Sequence, residues 1–499
     1  DEAREGVIQY YLDRGKTQEQ AEGLADDKNE YDKAFYVPDR ARWSNLKDLK
    51  HDIGDALNKA TEAIEEQNPV LEGVLVSIDF NSKNKLNDHK LRDLLSHYST
   101  FRLRNEDLER PDLLGTASER LIRLFADSAG KKGGEFYTPS EVVKLLVSLL
   151  KPHAGMKVYD PTCGSGGMLI QTRNYLAEHG ENPADLQLFG QEINQSIWAL
   201  CKRNLVLNGV INGVICNGDT LREPMLIEHG EIMQFDRVIA NPPFSLQNWG
   251  RDLAEHDEHE RYRYGIPPRN SGDLAFIQHM IASLNDEGAM GTVVPHGVLF
   301  RGGIEGEIRK RILKDDLIEA IIGLPSNLFS GTGIPTALLI INKKKQIQRH
   351  NRVLFIDAAH DYEKEGRTRN RLRKEDLLNI ISCFNLYANV TDYSRVVDIQ
   401  EIASSGYNLN IKRYIDASPE SAQIRRLLEQ YGDYDKRRLR ELALEYHISR
   451  KKEDLTDKPN SIYIPFKKSA KVTKDIGDTS NENEKRVVAQ ITLDEKKIS

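Results

Sequence analysis

The stretch Phe235-Asp236-Arg237-Val238-Ile239-Ala240-Asn241-Pro242-Pro243-Phe244 is a largely apolar run ending in an amide side chain, two consecutive prolines and an aromatic ring. Prolines have no N–H, so their carbonyls and the Asn241 side chain make a rigid edge rich in hydrogen-bond acceptors. An aromatic amine such as adenine N6 is a poor nucleophile because its lone pair is delocalised into the ring. Two acceptors, the Asn241 amide oxygen and the Pro242 carbonyl, can take its two hydrogens and turn the lone pair toward an electrophile. Phe244 offers a flat face for stacking, which helps offset the few kcal/mol needed to bring a base out of a duplex. Asn241, Pro242, Pro243 and Phe244 are therefore the candidate reacting residues. The same edge would also present acceptors to an RNA base or a protein glutamine amide.

Upstream, Val158-Tyr159-Asp160-Pro161-Thr162-Cys163-Gly164-Ser165-Gly166-Gly167 places an acid at a strand end, then a glycine-rich turn opening into a helix from Met168. Glycines let backbone approach a ligand closely, a helix N-terminus offers unpaired N–H groups, and doubly wound sheets bind ligands at this position. The turn alone leaves a dinucleotide site open as an alternative. Its glycines at 164, 166 and 167 lack the GxGxxG spacing of a pyrophosphate-binding turn, which disfavours that reading. Glu192, after the second strand, can accept hydrogen bonds from two ribose hydroxyls, or be a solvated strand end. Asp219, in Asn217-Gly218-Asp219 after the third, can accept from an adenine amino group, or cap an Asx turn. The HxxH at His256 and His259 lacks a third ligand at helical spacing, so no metal is expected. Trp249, Tyr262 and Tyr264 in the same stretch suggest a mobile loop able to close over nucleic acid.

These residues need a scaffold of strand ends. From about Glu135 short β-rich runs alternate with helical stretches. Strands are expected at Met156 to Tyr159, Leu186 to Gln191, Gly213 to Cys216, Phe235 to Ala240, Ala289 to Val294, Leu317 to Gly323 and Ala337 to Ile341. Helices are expected at Glu141 to Leu150 and Ile197 to Leu207. The alternation indicates an α/β fold with a doubly wound, mostly parallel sheet. Before it, Leu46, Leu49, Ile53, Leu57, Ala60 and Ile64 form one helical stripe, and Leu91, Leu94, Leu95 and Tyr98 another. After about Asn410, Ile424, Leu427, Leu428 and Tyr431, then Leu439, Leu442, Ala443 and Tyr446, mark two more amphipathic helices.

At 499 residues two or three domains are expected, and no run of eighteen apolar residues is present to span a membrane. The four cysteines, Cys163, Cys201, Cys216 and Cys383, show no CxxC pairing, which argues against a zinc site or disulfide framework and for a reducing cytoplasm. A net charge of −7 is unlike a protein that grips DNA alone. Either the basic surface is local or a partner supplies most of the grip.

The chain resembles the N6-adenine methyltransferase subunits of type I restriction-modification systems. The resemblance runs from about Leu113 through Ile415, on GGEFYTPSEVV, DPTCGSGGMLI, GQEIN, NGDTL, ANPPFS, YGIPPRNSGDLAFIQHM, VVPHGVLFRGG, GTGIPTALLIIN and YNLNIKRYI. It implies a Rossmann-like S-adenosylmethionine-dependent methyltransferase sheet, methyl transfer to adenine N6 in DNA, and no metal. It also implies that Glu135, Phe136, Tyr137, Thr138, Pro139 and Ser140 close over the methionine part of the cofactor, and that the Ser165-Gly166-Gly167 turn and Glu192 contact it. Asp160, Gly164 and Asp219 complete the expected cofactor set. Site recognition would belong to a separate specificity subunit, with a second modification subunit and a restriction subunit in the full complex, which would account for the acidic charge. The expected domains are an N-terminal helical domain at 1–125, begun inside the family's longer version, and a catalytic domain at 126–415. Helices for specificity-subunit docking follow at 416–466, carrying Lys436, Arg437, Arg438 and Arg440, and then a polar, mobile tail at 467–499. A free-standing adenine DNA methyltransferase is the alternative, disfavoured by the short helical region after Ile415. A non-catalytic scaffold subunit is disfavoured by intact Asn241 and Phe244.

Overall fold

Runs of Val, Ile and Leu bounded by turns become the strands of one large sheet. The computed structural model describes residues 2–31, 35–81, 86–101, 104, 107, 113–129, 137–329, 333–366 and 369–415. The expectations for Glu135, Phe136, 416–466 and 467–499 lie outside these residues. Among the described residues the sheet has nine strands: β1 Lys157–Asp160, β2 Gln187–Glu192, β3 Val214–Asn217, β4 Phe235–Ala240, β5 Leu284–Pro295, β6 Ile318–Gly323, β7 Thr336–Asn342, β8 Arg352–Asp357 and β9 Ser394–Asp398. Their order is β9-β8-β6-β7-β5-β4-β1-β2-β3. From β3 through β5 all neighbours are parallel, β7 runs antiparallel between β5 and β6, β8 is parallel to β6, and β9 is antiparallel at the edge.

Side chains alternate across a strand, so each strand feeds two cores. Val158 and Leu338 face one core while Tyr159 and Leu339 face the other. The helices α6 Ser140–Leu150, α7 Gly167–Glu178 and α8 Gln195–Leu207 cover the first face, and α9 Asp273–Ala282 and α10 Gly303–Lys314 cover the second. Sheets covered on both faces give continuously apolar strands, and β6 is buried along its whole length. The strands β8 and β9 and the helix α9 were not among the expected elements. In α9 every residue from Asp273 to Ile281 is buried, so it lacks the polar face that would mark it as an amphipathic helix.

The N-terminal region is helical, with α1 Glu2–Leu12, α2 Gln18–Leu24, α3 Ile53–Gln67, α4 Asp88–Tyr98 and α5 Leu113–Ala129. The stripe from Leu46 to Ile64 is broken, because Asp52 adopts a left-handed backbone (φ 53°) and Leu46 and Leu49 precede α3. They still pack on it, alongside Leu57, Ala60 and Ile64. In α4, Leu91 and Leu95 are buried whereas Leu94 and Tyr98 are exposed. The helix α5, Leu113–Ala129, runs across position 125, the expected end of the N-terminal domain. It packs against the nine-stranded sheet's helices, since Ser118 donates to the Asn204 amide oxygen on α8 at 3.0 Å.

Candidate active site

The parallel strands β1, β2, β3 and β4 end on one edge, and there the chain places Asp160, Glu192, the Asn217-Gly218-Asp219 turn and Asn241. A solvent-open cleft of about 670 Å³ lies over β1 and β4. Tyr137, Thr138, Ser140, Asp160, Gly164, Ser165, Gly167 and Asn241 line it. Pro139, Gly166, Glu192, Asp219, Pro242, Pro243 and Phe244 are not in its lining. The lining also includes Glu119 and Ile122 from α5, Thr162 and Cys163 from the turn, and Asn204 from α8. Thr162 and Cys163 lie within the motif read from the sequence. Glu119 carries no local signal, since only tertiary packing brings α5 to the turn.

The glycine turn has a shape that side chains would spoil. Gly164 and Gly166 have φ of 51° and 80°, a region that favours glycine. A Cβ on Gly166 would stand 2.9 Å from the Cys201 sulfur, whereas one on Gly167 would meet nothing within 4 Å. Gly167 opens α7, so the first turn of that helix faces open cleft. Glu192 secures the turn from β2: its carboxylate accepts from the Gly164 N–H at 3.1 Å and the Asn194 N–H at 2.8 Å. Behind the turn the Cys163 and Cys201 sulfurs approach to 3.8 Å, although 38 positions separate them.

Asp160 is only 2% exposed and accepts one hydrogen bond, from the Thr162 N–H at 3.0 Å. Burial pushes its carboxyl up to about 8, the Thr162 N–H opposing this and nearby Glu192 adding to it. A buried acid so poorly compensated suits a cationic ligand group. The Thr162 hydroxyl, also in the lining, is buried without a hydrogen-bond partner.

Asn241 sits just past β4. Its amide NH2 donates to the Thr138 hydroxyl at 3.0 Å, while its amide oxygen is buried and has no hydrogen-bond partner. Buried polar atoms are nearly always paired, so an orphaned acceptor in a cleft marks a place for a donor. Phe244 is half buried, its ring set edge-on to Phe329 with centroids 6.2 Å apart. The next residue, Ser245, is left-handed (φ 52°) and donates its N–H to the Asp273 carboxylate at 2.7 Å. Asp273 in turn accepts from Arg301 at 2.6 Å and from Ser271 at 3.0 Å, and Glu305 binds both of those residues. The end of the Asn-Pro-Pro-Phe segment is thus tied to the starts of α9 and α10.

Asp219 makes local contacts, and the aromatic stretch departs from its expectation. Asp219 spends its Oδ1 on the N–H groups of Leu221 and Arg222, at 3.0 and 3.2 Å, and its Oδ2 lies 3.5 Å from the Arg222 guanidinium. These contacts are those of a local turn cap. Trp249, Tyr262 and Tyr264 do not form an open loop, being 2%, 7% and 4% exposed. Trp249 and Tyr262 share a small core with Leu221, Ala275 and Phe276. Arg261 locks that region by binding Asp257 and the carbonyls of Thr220 and Leu221, at 2.6 to 3.0 Å. It also reaches His279 Nδ1 at 3.4 Å. Arginine only donates, so Nδ1 accepts and the proton sits on Nε2, 3.1 Å from the Tyr159 hydroxyl. Burial, with Arg261 adding to it, keeps His279 well below the usual histidine range and hence neutral.

Among the described residues no group of three or more His, Cys, Asp or Glu is placed to hold a metal, and no helix is long and apolar enough to cross a membrane.

Comparison with known proteins adds the lineage. Residues 109–423 match the N-6 DNA Methylase family, and residues 1–97 match the HsdM N-terminal domain. The chain is 35% identical over 398 residues to the type I restriction enzyme MjaVII methylase subunit of Methanocaldococcus jannaschii, covering 77% of this chain and 67% of that protein. For the MjaVIII methylase subunit of the same organism the identity is 34%, covering 66% of that protein, so the chain spans about two thirds of the length of both. The HindI methylase subunit of Haemophilus influenzae is 29% identical, with 90% of its length covered. Among solved structures, the type I restriction-modification system methyltransferase subunit of Streptococcus thermophilus is similar with a TM-score of 0.72 and 30% identity, over 82% of this chain and 87% of that one.

Proposed function

Because the chain belongs to the N-6 DNA methylase family, among the methylase subunits of type I restriction enzymes, we propose that it methylates adenine N6 in DNA with S-adenosylmethionine as donor. When bound, S-adenosylmethionine supplies a methyl group activated on a sulfonium centre. Asp160 would hold its ammonium group, and Gly164, Ser165 and Gly167 would hold the remainder against the open start of α7, with Tyr137, Thr138 and Ser140 on the opposite side. Glu135 and Phe136 belong to the same segment, and Glu192 shapes the turn and offers a carboxylate to the ribose.

For the target base, the Asn241 amide oxygen and the Pro242 carbonyl accept the two N6 hydrogens, which frees the nitrogen lone pair from the ring. Pro243 keeps that backbone rigid, and Phe244 stacks on the base once it has left the duplex. The product nitrogen sheds its proton to water in the open cleft, so no side-chain base is required. The observation that carries this reading is the buried, unpaired oxygen of Asn241, a residue that lines the same cleft as the buried acid Asp160.

Recognition of the DNA site is assigned to a specificity subunit, docked through residues 416–466, with a second modification subunit and a restriction subunit in the complete assembly. The work is placed in the cytoplasm, where the DNA is. The test is methyl transfer from labelled cofactor by the chain reconstituted with its specificity subunit, followed by nucleoside analysis. Asn241→Ala should abolish N6-methyladenine while leaving cofactor binding intact. Product appearing as N4-methylcytosine, in RNA or on protein would refute the substrate, and full activity of Asn241→Ala would refute the mechanism.

A further inference from the structure

We propose that Thr138 is a positioning residue for the transfer itself: its hydroxyl anchors the Asn241 amide so that the oxygen, and not the NH2, meets the target amine. This rests on the reading of Asn241 as the acceptor of the N6 hydrogens. An asparagine amide is planar with an acceptor at one end and two donors at the other, and a half-turn exchanges them. Facing an amine that itself donates, only the oxygen end works. Thr138 Oγ1 lies 3.0 Å from Asn241 Nδ2 and takes one of its hydrogens. The amide oxygen is then left buried and unpaired, and both residues line the same cleft.

The bond joins parts of the chain 103 positions apart. Thr138 enters α6 from the segment expected to cover the cofactor, and Asn241 leaves β4. A threonine that only covered the cofactor would have no need of this contact. Removing the hydroxyl strands the NH2 end inside the protein, and the amide must turn or tilt to find another acceptor, withdrawing its oxygen from the amine. The loss should therefore persist in the rate at saturating cofactor, beyond whatever Thr138 contributes to cofactor affinity.

The experiment measures single-turnover methyl transfer at saturating S-adenosylmethionine by the complex of full-length chain and specificity subunit, with cofactor affinity measured separately by calorimetry. Thr138→Val, which keeps the shape without the hydroxyl, should slow the rate at saturating cofactor roughly ten- to thirtyfold, a larger change than any accompanying rise in cofactor Kd. Thr138→Ser, which keeps the hydroxyl, should recover most of the lost rate. If Thr138→Val does not fold, Thr138→Ala against Thr138→Ser decides on the same readouts. The inference is overturned if the variant without the hydroxyl matches the parent rate, if the serine variant is as slow, or if the whole effect is weaker cofactor binding. Asn241→Ala run in parallel separates the two levels. An active Asn241→Ala defeats the underlying reading, whereas an inactive one beside a fully active Thr138→Val defeats the anchor alone.

Discussion

At the scale of single residues the site is built from polar atoms left short of partners. Asp160 keeps one hydrogen bond, and the Thr162 hydroxyl and Asn241 oxygen keep none. Such groups cost stability in a finished core and persist where a ligand completes them. Asp160 gives this a pH signature. With its carboxyl at about 8 in the free protein, it holds a proton at neutral pH. A cationic ligand group favours the carboxylate, so binding must expel that proton. Affinity for S-adenosylmethionine should rise as pH goes from about 6 to 7.5 and level off near the pKa of the acid, with protons released throughout. Calorimetry in buffers of differing ionisation heat measures both. Affinity flat over that range, with no proton release, would take Asp160 out of ammonium binding. Asp160→Asn should bind more weakly and lose the pH slope.

At the scale of elements, strand ends carry the proposed reacting groups and the helices behind them hold the loops still. The Asn-Pro-Pro-Phe segment leaves β4 and is caught at Ser245 by Asp273, at the start of α9, which also takes Arg301 from before α10. The Asp273 side chain is 4% exposed but Arg301 is 33% exposed, so solvent screens part of the attraction between them. Asp273→Ala leaves the Ser245 N–H and Arg301 without their acceptor, and should cost about 1 to 3 kcal/mol of stability. Methyl transfer should fall further than that stability loss implies, because the loop bearing Asn241 and Phe244 is no longer held. Thermal unfolding and transfer rate measured together test this. A variant less stable but with an unchanged rate at low temperature would show that Asp273 serves the fold alone.

At the scale of the whole molecule, one N-terminal helix reaches into the cleft over β1 and β4. Helix α5 presents Glu119 and Ile122 to it, and two sets of polar contacts help to hold it in place. One is a pair of partly exposed ion pairs to the hairpin Glu363–Glu365 and Arg369–Arg371, namely Arg123 with Glu365 and Arg369 with Asp127. The other is a buried relay in which Ser118 donates to Asn204, and Asn204 donates to the Ser165 carbonyl of the glycine turn at 2.9 Å. Exposed ion pairs are worth about 0 to 1 kcal/mol each, whereas an orphaned buried polar group costs about 1 to 3 kcal/mol. Asn204→Ala should therefore weaken cofactor binding more than Arg123→Ala and Arg369→Ala combined, and only the arginine variants should approach the parent at high salt. Calorimetry at two ionic strengths compares them, and the reverse ranking would place the linkage in the ion pairs.

The sequence alone was enough to indicate a doubly wound sheet, the glycine turn and the acceptor edge at Asn241, because strand periodicity, glycine and proline act locally and leave their mark over a few residues. Seven strands were legible for the same reason. The short edge strand β9, the strand β8 and the buried helix α9 were not, since their burial is imposed by neighbours distant in the chain. Position 219 shows the limit of local reading: the Asp after a strand end fits a ligand contact and a turn cap equally well, and the fold shows its carboxylate accepting from the Leu221 and Arg222 N–H groups. The aromatics at 249, 262 and 264 show it again, because an aromatic-rich loop and a small satellite core have the same composition. Tertiary structure alone brought Thr138 to Asn241 and Glu119 to the cleft. Those contacts span parts of the chain with no shared pattern, and they exist because closing the sheet under its helices brings distant segments to one edge.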